Sequence, residues 1–136
     1  MAEEKVETDR VLGRYGSLRE VMLDRDLAKL GDAYLNFVHS LALSQRLGRP
    51  AGEKVDNQTL ASALRKTDLR GILPRRTDRH AQGNAAEALI AYAWLRKALT
   101  IEDCLSILRT GGDPVEAFAE LLGEAEKRLS RLHEAP

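Results

Sequence analysis

Residues 85–95 read Ala85-Ala-Glu-Ala-Leu-Ile-Ala-Tyr-Ala-Trp-Leu95, eleven positions with a single charged side chain, Glu87. A helix that is apolar on every side belongs inside a protein. Glu87 is carried in with it, and a carboxylate stripped of water needs a cation, hydrogen-bond donors or a raised pKa. Asn84 lies three residues earlier on the same helix face; taken alone it is an N-cap, so Gly83-Asn84 is expected to open this helix, which runs to about Leu99. The bland account of Glu87 is a structural ion pair with Arg or Lys, or a helix end still wet at its first turn.

Working outward, a second helical stripe begins near Asp26. Leu27, Leu30, Tyr34, Phe37, Val38 and Leu41 recur at steps of three and four until Gly48 and Pro50 stop them. At 100° per residue this stripe centres near Leu30, Tyr34 and Leu41. Asp32 then projects from the other side, beside Ala28, Lys29, Asn36 and His39. Ala28, Gly31 and Ala42 flank Asp32 as Ala88 and Ala91 flank Glu87, and such small residues let helices approach closely. Two such helices would bring the acids together. Like charges so placed raise one pKa unless a divalent ion with a preference for oxygen ligands, Mg²⁺ or Mn²⁺, neutralises both.

The rest of the chain reads as helices and short breaks. Ser17-Leu-Arg-Glu20 has capping-box spacing, Asn57 caps a segment carrying Leu60, Ala61 and Leu64, and Thr100 caps another reaching Arg109. Residues 67–82, with Gly71 and Pro74, read as an irregular exposed connection. Gly111-Gly112-Asp113-Pro114 resets the chain before an amphipathic helix over 113–133 carrying Val115, Phe118, Leu122, Ala125, Leu129 and Leu132, expected to pack on its own domain or to contribute to a dimer interface. No period-2 run competes, so the fold class is all-α. The 136 residues suit one domain, 1–136, with a charged tail at 1–10.

Composition narrows the functional classes. Lys and Arg total 21 and so do Asp and Glu, which excludes a general polycation, and no apolar run is long enough to span a membrane. One cysteine, Cys104, excludes an internal disulfide and a multi-cysteine zinc site; with no signal peptide in view, a reducing cytoplasm is the expected address. His39 and His80 belong to no Ser/His/Asp or Cys/His arrangement and receive no catalytic role.

Leu27-Ala-Lys-Leu-Gly-Asp-Ala-Tyr-Leu35 resembles the signature helix of the ribonuclease III endonuclease domain, and Asn84-Ala-Ala-Glu-Ala-Leu resembles its second acidic motif, typically Asp-x-x-Glu-Ala-Leu. The resemblance spans roughly residues 24–99 and is closest to stand-alone archaeal members without a separate RNA-binding domain. It implies a ribonuclease III-like helical endonuclease domain, a homodimer, and metal-dependent hydrolysis of double-stranded RNA in RNA processing. Asp32 and Glu87 would be the catalytic metal-binding carboxylates, with Asn84 offering an amide oxygen. The chain departs from the pattern at two of four acidic positions: Ala28 stands where the signature has Glu, and Asn84 where the second motif has Asp. Asp24 and Asp26, just upstream, are the acids at hand to compensate.

Residues 65–80 hold six cations, Arg65, Lys66, Arg70, Arg75, Arg76 and Arg79, against Asp68 and Asp78, a local charge of +4 with no Phe, Tyr or Trp. Such a block suits duplex phosphates better than the stacking of unpaired bases. It is equally the composition of a solvated loop that pairs with acids of its own domain. Three functions therefore stand side by side: a duplex RNA endonuclease, a dimeric RNA-binding relative without catalysis, and a helical protein-interaction module whose acids form ion pairs.

Overall fold

The structure, a computed structural model, describes residues 11–110 and 112–134. The expected tail at 1–10 lies outside them. Helices α1 (Leu18–Met22), α2 (Arg25–Leu47), α3 (Asn57–Arg65), α4 (Arg79–Leu95), α5 (Ile101–Leu108) and α6 (Pro114–Glu134) follow in order, with a 3₁₀ turn at Asp68–Ile72 and no strand among the described residues. The all-α class is as expected. No helix of the described residues is long and apolar enough to cross a membrane.

Helix α4 is the axis of the molecule. It packs against α1, α2, α3 and α6, and nearly all its side chains from Gln82 to Leu95 are buried, as its all-round apolar sequence requires. Its start differs from the expectation. Asp78, not Asn84, is the N-cap: its Oδ1 accepts from Ala81 N at 2.8 Å, and the helix begins four residues before Gly83. Gly83 is a packing position, for a Cβ there would overlap the Asn57 side-chain amide on α3. The helix also ends at Leu95 rather than near Leu99, because Lys97 turns left-handed (φ 62°) and Ala98 and Leu99 both donate back to the Ala93 carbonyl.

Helix α2 crosses α4 at Gly31. A Cβ on Gly31 would overlap the backbone carbonyl of Glu87, so the two helix backbones touch at the level of the acid. This crossing corrects the orientation of α2. The buried residues are Leu27, Ala28, Gly31, Tyr34, Leu35, Val38 and Ala42, an arc whose centre lies about 80° round the helix from the Leu30–Tyr34–Leu41 line. Small side chains, weak in any hydrophobic scale, define that arc because they permit the closest approach. Two consequences follow: Phe37 is left 57% exposed, and Asp32 sits at the margin of the α4 contact instead of on the opposite side.

The chain after α2 doubles back along it in extended form, held by a polar ladder. Ser44 Oγ exchanges hydrogen bonds with the Ala51 backbone (2.9 and 3.1 Å), Ser40 Oγ does so with Glu53 (2.9 and 3.0 Å), and Asn36 Oδ1 accepts from Val55 N at 2.7 Å. The spacing works because four helical residues rise about 6 Å and two extended residues about 6.6 Å, so every second residue meets every fourth. Asp56 then caps α3 through Thr59 N at 2.9 Å, which displaces Asn57 from its expected capping role to the first helical position.

The connection at 67–78 is more ordered than expected. It contains the 3₁₀ turn, buries Leu69 and Leu73, and is stapled by Arg70, whose guanidinium donates to the carbonyls of Pro74 (3.3 Å) and Arg75 (2.9 Å). On α6, Phe118, Leu121, Leu122, Ala125 and Leu129 are buried against α3, α4 and α5.

Candidate metal and nucleic-acid site

The α2–α4 crossing, the returning 54–57 segment and the start of α4 enclose an open cleft of about 890 Å³. Asp32, Asn84 and Glu87 all line it. Glu87 is only 6% exposed, and its carboxyl is hydrogen-bonded to that of Asp32. Burial first, then the hydrogen bond and negative charge of Asp32, push the Glu87 pKa up to about 8, with Lys54 acting in the opposite direction. At neutral pH Glu87 therefore keeps its proton. Asn36 fixes the other side of Asp32, its Nδ2 donating to Oδ1 at 3.2 Å while its own Oδ1 holds the Val55 amide. Asn84, one turn before Glu87, lines the same space.

Neither acid forms an ion pair among the described residues, and Glu87 lies buried more than two turns into α4, which removes both bland accounts of it. Two carboxylates and an amide oxygen, converging on a wet cleft, are hard oxygen donors of the kind Mg²⁺ and Mn²⁺ prefer, and a cation there would take the place of the shared proton. The set stops at two acids: no group of three or more His, Cys, Asp and Glu suited to a metal occurs among the described residues. Ala28 lines the cleft as a buried methyl. Asp24 is committed elsewhere, capping α2 through Asp26 N and Leu27 N and accepting from Tyr15 Oη at 2.7 Å, a bond that lowers its pKa. Asp26 is solvated beside Lys29 and is no part of the cleft lining. Neither upstream acid replaces the missing Glu.

A family model described as Ribonuclease III matches residues 25–135. The chain belongs to the ribonuclease III family. The match runs from the first residue of α2 to the end of α6, so the acid-bearing crossing of this ribonuclease III domain lies wholly within it. A search of curated proteins finds no match.

The six cations that residues 65–80 bring to this ribonuclease III domain divide into two groups. Lys66 pairs with Glu116 at 2.7 Å, Arg70 staples its own loop, and Arg65 donates to Gln82 and Ser62. Arg75, Arg76 and Arg79 are exposed, with no ion pair or side-chain hydrogen bond to another described residue. None of these six lines the cleft; the basic residues that do are Arg25, Lys29, Lys54 and the imidazole His80. Lys29 already stood beside Asp32 on its helix face in the sequence, whereas Arg25 and Lys54 are isolated cations there and His80 closes a block read for its arginines. Asn36 was placed beside Asp32 by the sequence, but its hydrogen-bonding role was not read from the four-residue spacing of Asp32, Asn36, Ser40 and Ser44.

Proposed function

We propose that this chain hydrolyses double-stranded RNA with a divalent cation, Mg²⁺ or Mn²⁺, held by Asp32, Glu87 and the Asn84 side-chain oxygen. The observation that carries the reading is the Asp32–Glu87 pair: two carboxyls joined by one proton, facing a cleft, with no Arg or Lys paired to either. When bound, the cation supplies a Lewis acid and a water of lowered pKa for attack on a phosphodiester. Asn36 keeps the Asp32 carboxylate turned into the cleft. Arg25, Lys29 and Lys54 give the cleft mouth positive charge for the RNA backbone, and Arg75, Arg76 and Arg79 extend it across the adjoining surface. A second copy of the chain is the protein partner, Phe37 on α2 offers it apolar surface, and the cytoplasm is the place of work.

Ala28 and Asn84 favour a second reading, duplex RNA binding without hydrolysis, because each removes a charge from the cation's donors. Incubation of the purified protein with long duplex RNA and Mn²⁺, beside the Glu87→Gln variant, separates the two. The proposal expects cleavage by the wild type and none by the variant. Equal cleavage by both would place the activity elsewhere, and binding without cleavage by either would establish the second reading.

A further inference from the structure

In the same cleft as the acid pair, near the start of α4, Asn57 and His80 form a small unit with an unpaired atom. Asn57 Nδ2 lies 2.9 Å from His80 Nδ1 and 3.4 Å from the His80 backbone carbonyl, while Asn57 Oδ1 is buried with no hydrogen-bond partner. The amide orientation follows from that carbonyl: with Nδ2 towards it Asn57 donates to the His80 oxygen, whereas rotated the other way it would set oxygen against oxygen. Gly83 lies flush against the amide, since a Cβ there would overlap Oδ1 and come to 3.0 Å of the Asn57 carbonyl. Asn57 is thus clamped in place as a donor to Nδ1. His80 Nδ1 must then accept, and its ring proton must reside on Nε2. A buried acceptor left unsatisfied reduces stability, and such a loss calls for an explanation in function.

We propose that His80 is a nucleic-acid contact, donating Nε2–H to a phosphodiester oxygen of RNA in the cleft, and that Asn57 is the positioning residue that fixes its tautomer. This rests on the RNA reading above and adds to it a donor outside the acid motifs. His80 lines the same cleft as Asp32, Asn84 and Glu87, and Nε2 has no partner among the described residues. A duplex whose backbone passes the acid pair presents further phosphate oxygens one nucleotide away, and an N–H donor there adds charge-assisted binding beside that of Lys54 and Arg25.

Full-length protein labelled uniformly with ¹⁵N reports the tautomer directly by NMR, because protonated and bare histidine ring nitrogens resonate far apart, and it shows the backbone amides in the same sample. The free protein should show His80 with Nδ1 bare and Nε2 protonated, and a short RNA duplex added without divalent cation should shift the Nε2 signal. Asn57→Asp, which puts oxygen in place of Nδ2, should move the proton to Nδ1. Affinity for the duplex should fall about tenfold in His80→Ala and stay within about twofold in His80→Gln, whose amide nitrogen retains the donor. A proton on Nδ1 in the wild type, or equal losses in Ala and Gln variants, would overturn the assignment. If the duplex shifts the Lys54 and Arg25 amides and leaves His80 unmoved, this contact alone is wrong; if it shifts nothing, the RNA reading falls with it.

Discussion

Replacing Glu87 with Gln keeps the shape and the donated hydrogen bond of the protonated acid while removing its ability to ionise. In the wild type the folded chain holds the Glu87 proton up to about pH 8, whereas an unfolded chain releases it near 4.5. Between these values the unfolded state binds fewer protons, so stability falls as pH rises. Each pH unit is worth about 1.4 kcal/mol, which makes the full loss across the window on the order of 5 kcal/mol, a large part of the 5–15 kcal/mol typical of a whole domain. Glu87→Gln escapes this loss. Urea unfolding of both proteins with a chelator present, from pH 5 to 9, should give similar stabilities at the acid end and a widening advantage for the variant above it, levelling off past pH 8. Taking the difference between the proteins cancels the histidines and the other carboxyls. Parallel curves across pH 5 to 8 would refute the shared proton and the burial from which it was derived.

Two glycines of opposite setting test the helix crossing. Gly31→Ala should lose about 2 kcal/mol, since the added methyl meets the Glu87 carbonyl and outweighs the roughly 1 kcal/mol gained in helix propensity, whereas Gly123→Ala, with open space around it, should gain about 0.5–1 kcal/mol. Thermal unfolding decides, and a Gly31→Ala protein as stable as the wild type contradicts the backbone contact. For the basic surface, the triple change of Arg75, Arg76 and Arg79 to Ala should weaken duplex RNA binding and reduce the slope of log K against log salt by roughly one per lost phosphate contact. Lys66→Ala should leave that slope unchanged, because Lys66 is paired with Glu116; identical slopes in all three proteins would move the RNA elsewhere.

The central crossing was legible because the residues that make it are extreme in kind. Residues 85–95 admit no solvent-facing side, and Glu87 within them was conspicuous. The orientation of α2 was not legible, since periodicity weights large apolar residues and the contact is made by Ala28, Gly31 and Ala42, whose contribution is proximity rather than hydrophobicity. The same blindness put Asp32 on the wrong side and Phe37 in the core. Asn84 resembled a cap, yet Asp78 starts the helix, since either side chain can cap and only the packing of Gly83 on α3 distinguishes them. The cleft itself was hidden: residues 51–57 form no regular element, and what seats them is a ladder of side-chain bonds to α2 whose partners are known only once the chain has turned back. Lys54 joins Arg25 and His80 in the cleft lining through that return.

The account turns on whether Asp32 and Glu87 exchange their proton for a divalent cation. Titration of the full-length protein with Mn²⁺ at pH 8, following free Mn²⁺ by electron paramagnetic resonance, measures that exchange without reference to any substrate. The account predicts one ion bound per chain, with affinity at least about tenfold weaker in Glu87→Gln and in Asp32→Asn, each of which removes one of two charged ligands. No binding by the wild type, or equal binding by all three proteins, would contradict it.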